Sequence, residues 1–119
     1  MLGNDEPLTN TENENVRQTN DSRQIAMRVM DREVFRHFDE MGLFATTTAL
    51  KIMDRWALNS PERLKEMEKP RNKRELFNRF AGQVEQETEA METDRYWDLI
   101  DSGLSHWEAL EMMGIKTEL

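Results

Sequence analysis

The sequence contains no cysteine, and only three prolines and five glycines occur in 119 residues. Without cysteine there is no disulfide framework, no thiolate metal site and no Cys nucleophile, and an intracellular setting is compatible with that absence. With so little Gly and Pro, few points oblige the chain to turn, whereas Glu, Met, Leu, Arg and Ala, all good helix formers, are plentiful. Period-two alternation of β-branched residues is scarce as well, so the expected fold class is all-α. No apolar run approaches the roughly 18 residues of a membrane span, and residues 1–15 lack the basic and apolar regions of a signal peptide. The expected location is the cytoplasm.

What is present is charge. Charged residues make up 34% of the chain against 37% hydrophobic ones, which allows one domain with a small core. The net charge of −8 is unevenly spread. Residues 1–22 carry five acids and one base, and residues 23–59 carry five acids and six bases. Residues 60–82 carry four acids and seven bases, while residues 83–119 carry ten acids and two bases. Phosphate affinity depends on neutralising backbone charge, so such a chain is a poor general nucleic-acid binder. It better suits a protein partner with a basic face, or head-to-tail contact with another copy.

Two regions are expected: an extended or disordered acidic arm at 1–20 and a helical domain at 21–119. In the arm Leu2, Leu8 and Val16 are the only large apolar side chains after Met1, too few to order it alone. Asp21–Gln24 reads as a capping box opening a helix that reaches Met41, with Gly42 as its stop. Met27, Met30, Val34, Phe38 and Met41 recur at three and four residues and share a face of it. A Met-rich stripe of this kind packs a core or offers an adaptable binding face. A second helix starts within Thr46–Thr48 and ends at Leu58, burying Ala45, Ala49, Ile52, Met53 and Trp56. Ser60 and Pro61 then start a short helix that ends before Pro70. Asn72–Glu75 reads as another capping box, heading a helix that continues to Ser102 or kinks near Gly82. Along it Leu76, Phe77, Phe80, Val84 and Met91 share a face interrupted by Glu87 and Thr88, and the acidic run around Glu87 reads as solvated. Thr93-Asp94 could instead cap a new helix. Four to five helices are expected in all.

The stretch Asp94–Ile115 is the most sharply punctuated. An apolar helical segment with Tyr96, Trp97, Leu99 and Ile100 meets Gly103, a residue suited to the left-handed end of a helix. Ser105 and Glu108 form a capping box for a second short helix ending at Gly114. Two of the three tryptophans lie here, so this helical hairpin is expected to anchor the fold. The segment resembles the first half of a helix-turn-helix, a likeness that implies a recognition helix next. Only Lys116–Leu119 follow, and Asp94, Asp98, Asp101, Glu108 and Glu111 would face the DNA. A plain helical hairpin is the preferred reading.

Chemical motifs are absent. His37 and His106 lie on different elements, Glu33 and His37 make half a metal site at most, and paired Glu-x-x-His motifs do not occur. There is no Gly-x-Ser-x-Gly elbow and no Gly-rich phosphate loop. No catalytic residue, metal or cofactor is expected. The leading expectation is a non-enzymatic, helical protein–protein interaction or structural component of a larger assembly, either a homo-oligomer or a multi-protein one. Met27, Met30, Met41, Trp97 and Trp107 are its candidate partner-binding residues. Lys69, Arg71, Lys73, Arg74 and Arg79 form a candidate electrostatic contact. In size, acidity, Met content and helical composition the chain is similar to accessory and structural proteins of bacteriophages, a likeness of composition that implies a virion role. Two alternatives stand beside it: a DNA-associated adaptor or regulator of small-terminase or helix-turn-helix type, and an acidic inhibitor of a host protein.

Overall fold

The computed structural model describes residues 25–119, and these are mostly helical, with no strand among them. The arm at 1–20 and the Asp21–Gln24 capping box lie outside the described residues. Helical residues 25–29 precede α1 (Arg32–Glu40), α2 (Thr47–Asn59), α3 (Pro61–Met67), α4 (Lys73–Ala90), α5 (Asp94–Asp101) and α6 (His106–Met112). None of these helices is long and apolar enough to cross a membrane.

The helices outnumber the expected four to five because two long helical readings are broken by side-chain caps. The 21–41 reading breaks at Met30–Asp31. There the Asp31 carboxylate accepts from the Glu33 and Val34 N–H groups at 2.9 and 3.2 Å, which suits an N-cap better than a helix interior. The 73–102 reading breaks at 91–93. Thr93 turns extended (φ −98°, ψ 151°), and its hydroxyl accepts from Tyr96 N–H. Gly82, the alternative kink point, lies inside uninterrupted α4. Asn72 forms no side-chain cap; its amide donates instead to the Glu66 carbonyl at 2.9 Å and ties the α3–α4 turn.

Elsewhere the punctuation follows short-range chemistry. The Thr46 hydroxyl accepts from Ala49 N–H and starts α2, and Pro61 opens α3 at a position where a missing N–H costs nothing. At Gly42 (φ 78°) the chain takes the left-handed conformation that glycine adopts without strain, and α1 turns toward α2 there. The Ser105 hydroxyl and Glu108 carboxylate cap each other's backbone N–H groups at the start of α6.

The main core lies between α1, α2, α3 and α4. Met30, Val34, Phe38, Phe44, Met53, Trp56, Leu64, Leu76 and Phe80 are buried in one cluster. Phe38 stacks on Phe77 with ring centroids 4.3 Å apart, and Phe80 meets Trp56 edge-on at 5.8 Å. The buried tryptophan is thus Trp56, which corrects the expectation that Trp97 and Trp107 anchor the fold. Tyr96, Ala109 and Leu110 of the α5–α6 segment, with Ala90, are buried outside the main cluster.

Candidate functional site

Between those two apolar groups lies a layer of polar side chains centred on Glu87. Residues 76, 80, 83, 87 and 90 of α4 recur at three and four residues, so Gln83 and Glu87 continue the face that carries Leu76 and Phe80 into the interior. The Glu87 side chain is 0% exposed and pairs with Arg55 of α2. Gln83 Nε2 donates to the Glu87 carboxylate at 2.6 Å, and His106 Nε2 lies 3.1 Å from its other oxygen. Tyr96 Oη sits 2.8 Å from His106 Nδ1. A single tautomer satisfies the chain: Nε2–H donates to Glu87 while Nδ1 accepts from the Tyr96 hydroxyl. Burial pushes the Glu87 carboxyl up, but hydrogen bonds from His106, Arg55 and Gln83 outweigh that and hold it below the usual glutamate range. Burial, and then the Glu87 charge, push the Tyr96 phenol up.

The same layer grips the segment after α6. Gln83 Nε2 donates to the Lys116 carbonyl at 2.8 Å, and Arg55 Nε and Trp56 Nε1 both donate to the Thr117 carbonyl at 3.0 Å. Arg79 donates to the Glu118 carbonyl at 2.8 Å while its guanidinium lies 5.1 Å over the Trp56 ring. Three successive carbonyls of residues 116–118 are therefore held by side chains of α2 and α4. Thr117 is buried, and its hydroxyl accepts from Trp107 Nε1 at 2.8 Å.

Chemically this arrangement holds position and charge. Both His106 nitrogens are engaged, so the imidazole fastens α6 to α4. Beside it opens a cleft of about 230 Å³ lined by Thr47, Thr48, Lys51, Met91, Tyr96 and His106. Among the described residues no group of three or more His, Asp or Glu side chains is arranged to hold a metal ion.

Outside this layer the α5–α6 segment presents acid and aromatic surface. Trp97 is 52% exposed and Trp107 44%, and Asp94, Asp98, Asp101, Glu108 and Glu111 are exposed as well. Both indole N–H groups are satisfied within the chain, Trp97 by the Met91 carbonyl at 2.8 Å and Trp107 by Thr117 and Glu111. What reaches solvent is the aromatic carbon surface.

The structure distributes the residues singled out from the sequence unevenly. Met27 and Met41 are exposed, whereas Met30 is a core residue and is withdrawn from the partner-binding set. Lys69 and Arg71 both reach Glu66, at 3.0 and 3.5 Å, and Lys69 with Arg71 holds that carboxyl below its usual range. Lys73 joins Asp31, Glu33, Val34, Lys65, Glu68, Lys69 and Pro70 around a cleft of about 400 Å³, while Arg74 is exposed. Arg79 turns inward to Gln83, Glu118 and Trp56, so it is withdrawn from the electrostatic surface. His37 is exposed and lies edge-on to Phe77.

Sequence reasoning missed the Glu87 layer because Glu87 sits in an acidic run whose other members, Glu85, Gln86, Thr88 and Glu89, are exposed. The available signal was phase: counted from Phe80, positions 83 and 87 fall on the buried face. Comparison with known proteins gives no match to a family model and no significant match to a curated protein or to a solved structure.

Proposed function

We propose that this chain is a non-enzymatic helical component of a larger protein assembly and acts by binding protein through the acidic, tryptophan-bearing face of its α5–α6 segment. The observation that carries this reading is Trp97 and Trp107 standing about half exposed among exposed carboxylates, with their N–H groups already satisfied. Large exposed aromatics lose little conformational entropy on contact and recur at the energetic centres of interfaces. The acids around them select a basic partner and speed encounter with it. A second copy can serve, because residues 60–82 carry more bases than acids. The Lys69 and Arg71 pairing with Glu66 tempers that surface, leaving Lys73 and Arg74 as its better contacts.

The DNA-adaptor alternative has less support, because Arg79 is committed to the interior and the exposed face of α5 and α6 is acidic. The test is the mass in solution at low and high salt, for the wild type and for Trp97→Ala/Trp107→Ala. The expected result is an assembly that dissociates with salt and with loss of the two rings. A monomer at every salt concentration would overturn assembly through a second copy.

A further inference from the structure

The polar layer around Glu87 is a receiving surface for a segment of stated sequence, Ile115–Leu119, together with the helices that carry it. It reads that segment through backbone: Gln83 at Lys116, Arg55 and Trp56 at Thr117, Arg79 at Glu118. Asn59 Nδ2 adds the Glu118 side chain at 3.2 Å, and Leu119 packs against the main core. On the delivering side, α5 and α6 pack on each other more than on any other helix. His106 on Glu87 adds a side-chain tie from α6 to α4. A surface that holds this module in its own chain presents identical donors to the same module of another copy.

The connection between the two parts is closed by bonds local to the turn. Residues 83–102 contain neither Gly nor Pro. Met91 is helical (φ −68°, ψ −11°), and Thr93 carries the extended ψ of 151° that turns the chain into α5. Closing the turn are the Thr93 N–H to Ala90 carbonyl bond at 3.1 Å and the Thr93 hydroxyl bonds to Ala90 and Tyr96. Trp97 Nε1 to the Met91 carbonyl and the Glu92 N–H to the Glu89 carbonyl at 3.1 Å complete them. If Thr93 becomes helical, these bonds are exchanged for ordinary i to i−4 backbone bonds, so the straight form loses few contacts. The result is one helix from Lys73 to Asp101 that carries α5, α6 and residues 115–119 away from their own polar layer.

We propose that two copies of this chain exchange the α5–α6 module and its following segment, hinging at residues 91–93, so that His106, Tyr96 and Thr117 of one copy complete the Glu87 layer of the other. This does not rest on the tryptophan face having a partner: the exposed ring surfaces of Trp97 and Trp107 are not what joins the two copies.

Two substitutions move the hinge in opposite directions. Asp94→Pro places proline at the first residue of α5, where its N–H is not needed, and it favours the extended backbone already present at Thr93. The same ring clashes with the Ala90 carbonyl in a continuous helix. Thr93→Ala removes the cap and adds a strong helix former. The readout uses the full chain, which has no native cysteine. Asn59→Cys and Glu118→Cys are introduced together, and protein concentrated to encourage exchange is separated by size and treated with a short bismaleimide crosslinker. In the dimer fraction, crosslinks are expected between chains; in the monomer fraction, within one chain. Thr93→Ala is expected to raise the dimer fraction several-fold, and Asp94→Pro to abolish it while keeping the helical circular dichroism of the monomer. The proposal is overturned by a dimer fraction that crosslinks only within chains, by Asp94→Pro dimerising as well as the wild type, or by Thr93→Ala remaining monomeric. A dimer lost in Trp97→Ala/Trp107→Ala but crosslinked within chains supports the tryptophan face and rejects the exchange.

Discussion

Asp54 accepts the Ala26 N–H at 2.9 Å, whereas Glu87 draws on the side chains of Arg55, Gln83 and His106. Both carboxylates are buried, and the difference in donors sets the direction in which each titrates. Burial pushes the Asp54 carboxyl from 3.8 up to about 6, against the opposing pull of the Ala26 N–H and the Arg28 charge. Because the folded state binds this proton more tightly than the unfolded chain does, the group favours folding at low pH. That advantage is complete below the unfolded value of 3.8 and is lost as pH rises through about 6. Above that, an ionised Asp54 opposes folding by up to about 3 kcal/mol. Asp54→Asn keeps an oxygen for Ala26 and cannot ionise. It is therefore expected to be more stable than the wild type at pH about 8, with the gain shrinking toward pH about 5. Urea unfolding at the two values measures this, and an equal difference at both would exclude the titration of Asp54 as the cause.

At the scale of elements, much of the architecture is legible from the sequence, and what is not has a consistent cause. The start of α2 at Thr46, the short helix after Pro61 and the capping box at Ser105 and Glu108 all depend on contacts within four residues of chain. The break at Asp31 is different. An aspartate inside an apolar stripe reads as a solvated helical residue unless its backbone partner is known, and that partner is Glu68, which accepts the Asp31 N–H at 2.7 Å from 37 residues away. The Glu87 layer was hidden for the same reason, since Arg55, His106 and residues 116–118 reach it from distant positions. Arg79 likewise reads as one more cation in a basic stretch until Trp56 and Glu118 are placed beside it. The Asp31 cap carries a prediction. Asp31→Ala exposes the first N–H groups of α1 and should cost about 1 kcal/mol, whereas Asp31→Asn, which retains a capping oxygen, should recover most of it. Chemical unfolding of the two variants compares them, and equal losses would show that the charge rather than the cap is what matters.

Over the whole molecule, a larger apolar cluster across α1 to α4 and a smaller set of buried residues on α5 and α6 meet through charged and hydrogen-bonded side chains rather than through continuous hydrocarbon. Such a junction is directional: each donor satisfies a particular acceptor, and on separation Arg55, Arg79 and Glu87 can be hydrated, which offsets part of the cost of parting. The free energy of opening should therefore differ between the two parts, with α5 and α6 opening before the main core. Amide hydrogen exchange under native conditions reads this directly. Amides of α2 and α4 near Trp56 and Phe80 are expected to be protected to the level of global unfolding, and those of α5 and α6 at least about tenfold less, an opening easier by about 1.4 kcal/mol. Acid should widen the gap. The Glu87 pairing is present above the ordinary glutamate value and is lost as pH falls through its lower folded value, so the junction weakens while the hydrocarbon of the main core does not. The three indole N–H resonances report where this happens. Those of Trp56 and Trp107 both bond Thr117 and should shift together on acidification, whereas that of Trp97, bonded to Met91, reports the 91–93 turn independently. Equal protection throughout residues 32–112, with the three indole signals lost in a single acid transition, would mean that the two parts open as one cooperative unit and that the polar layer couples them as firmly as a shared core.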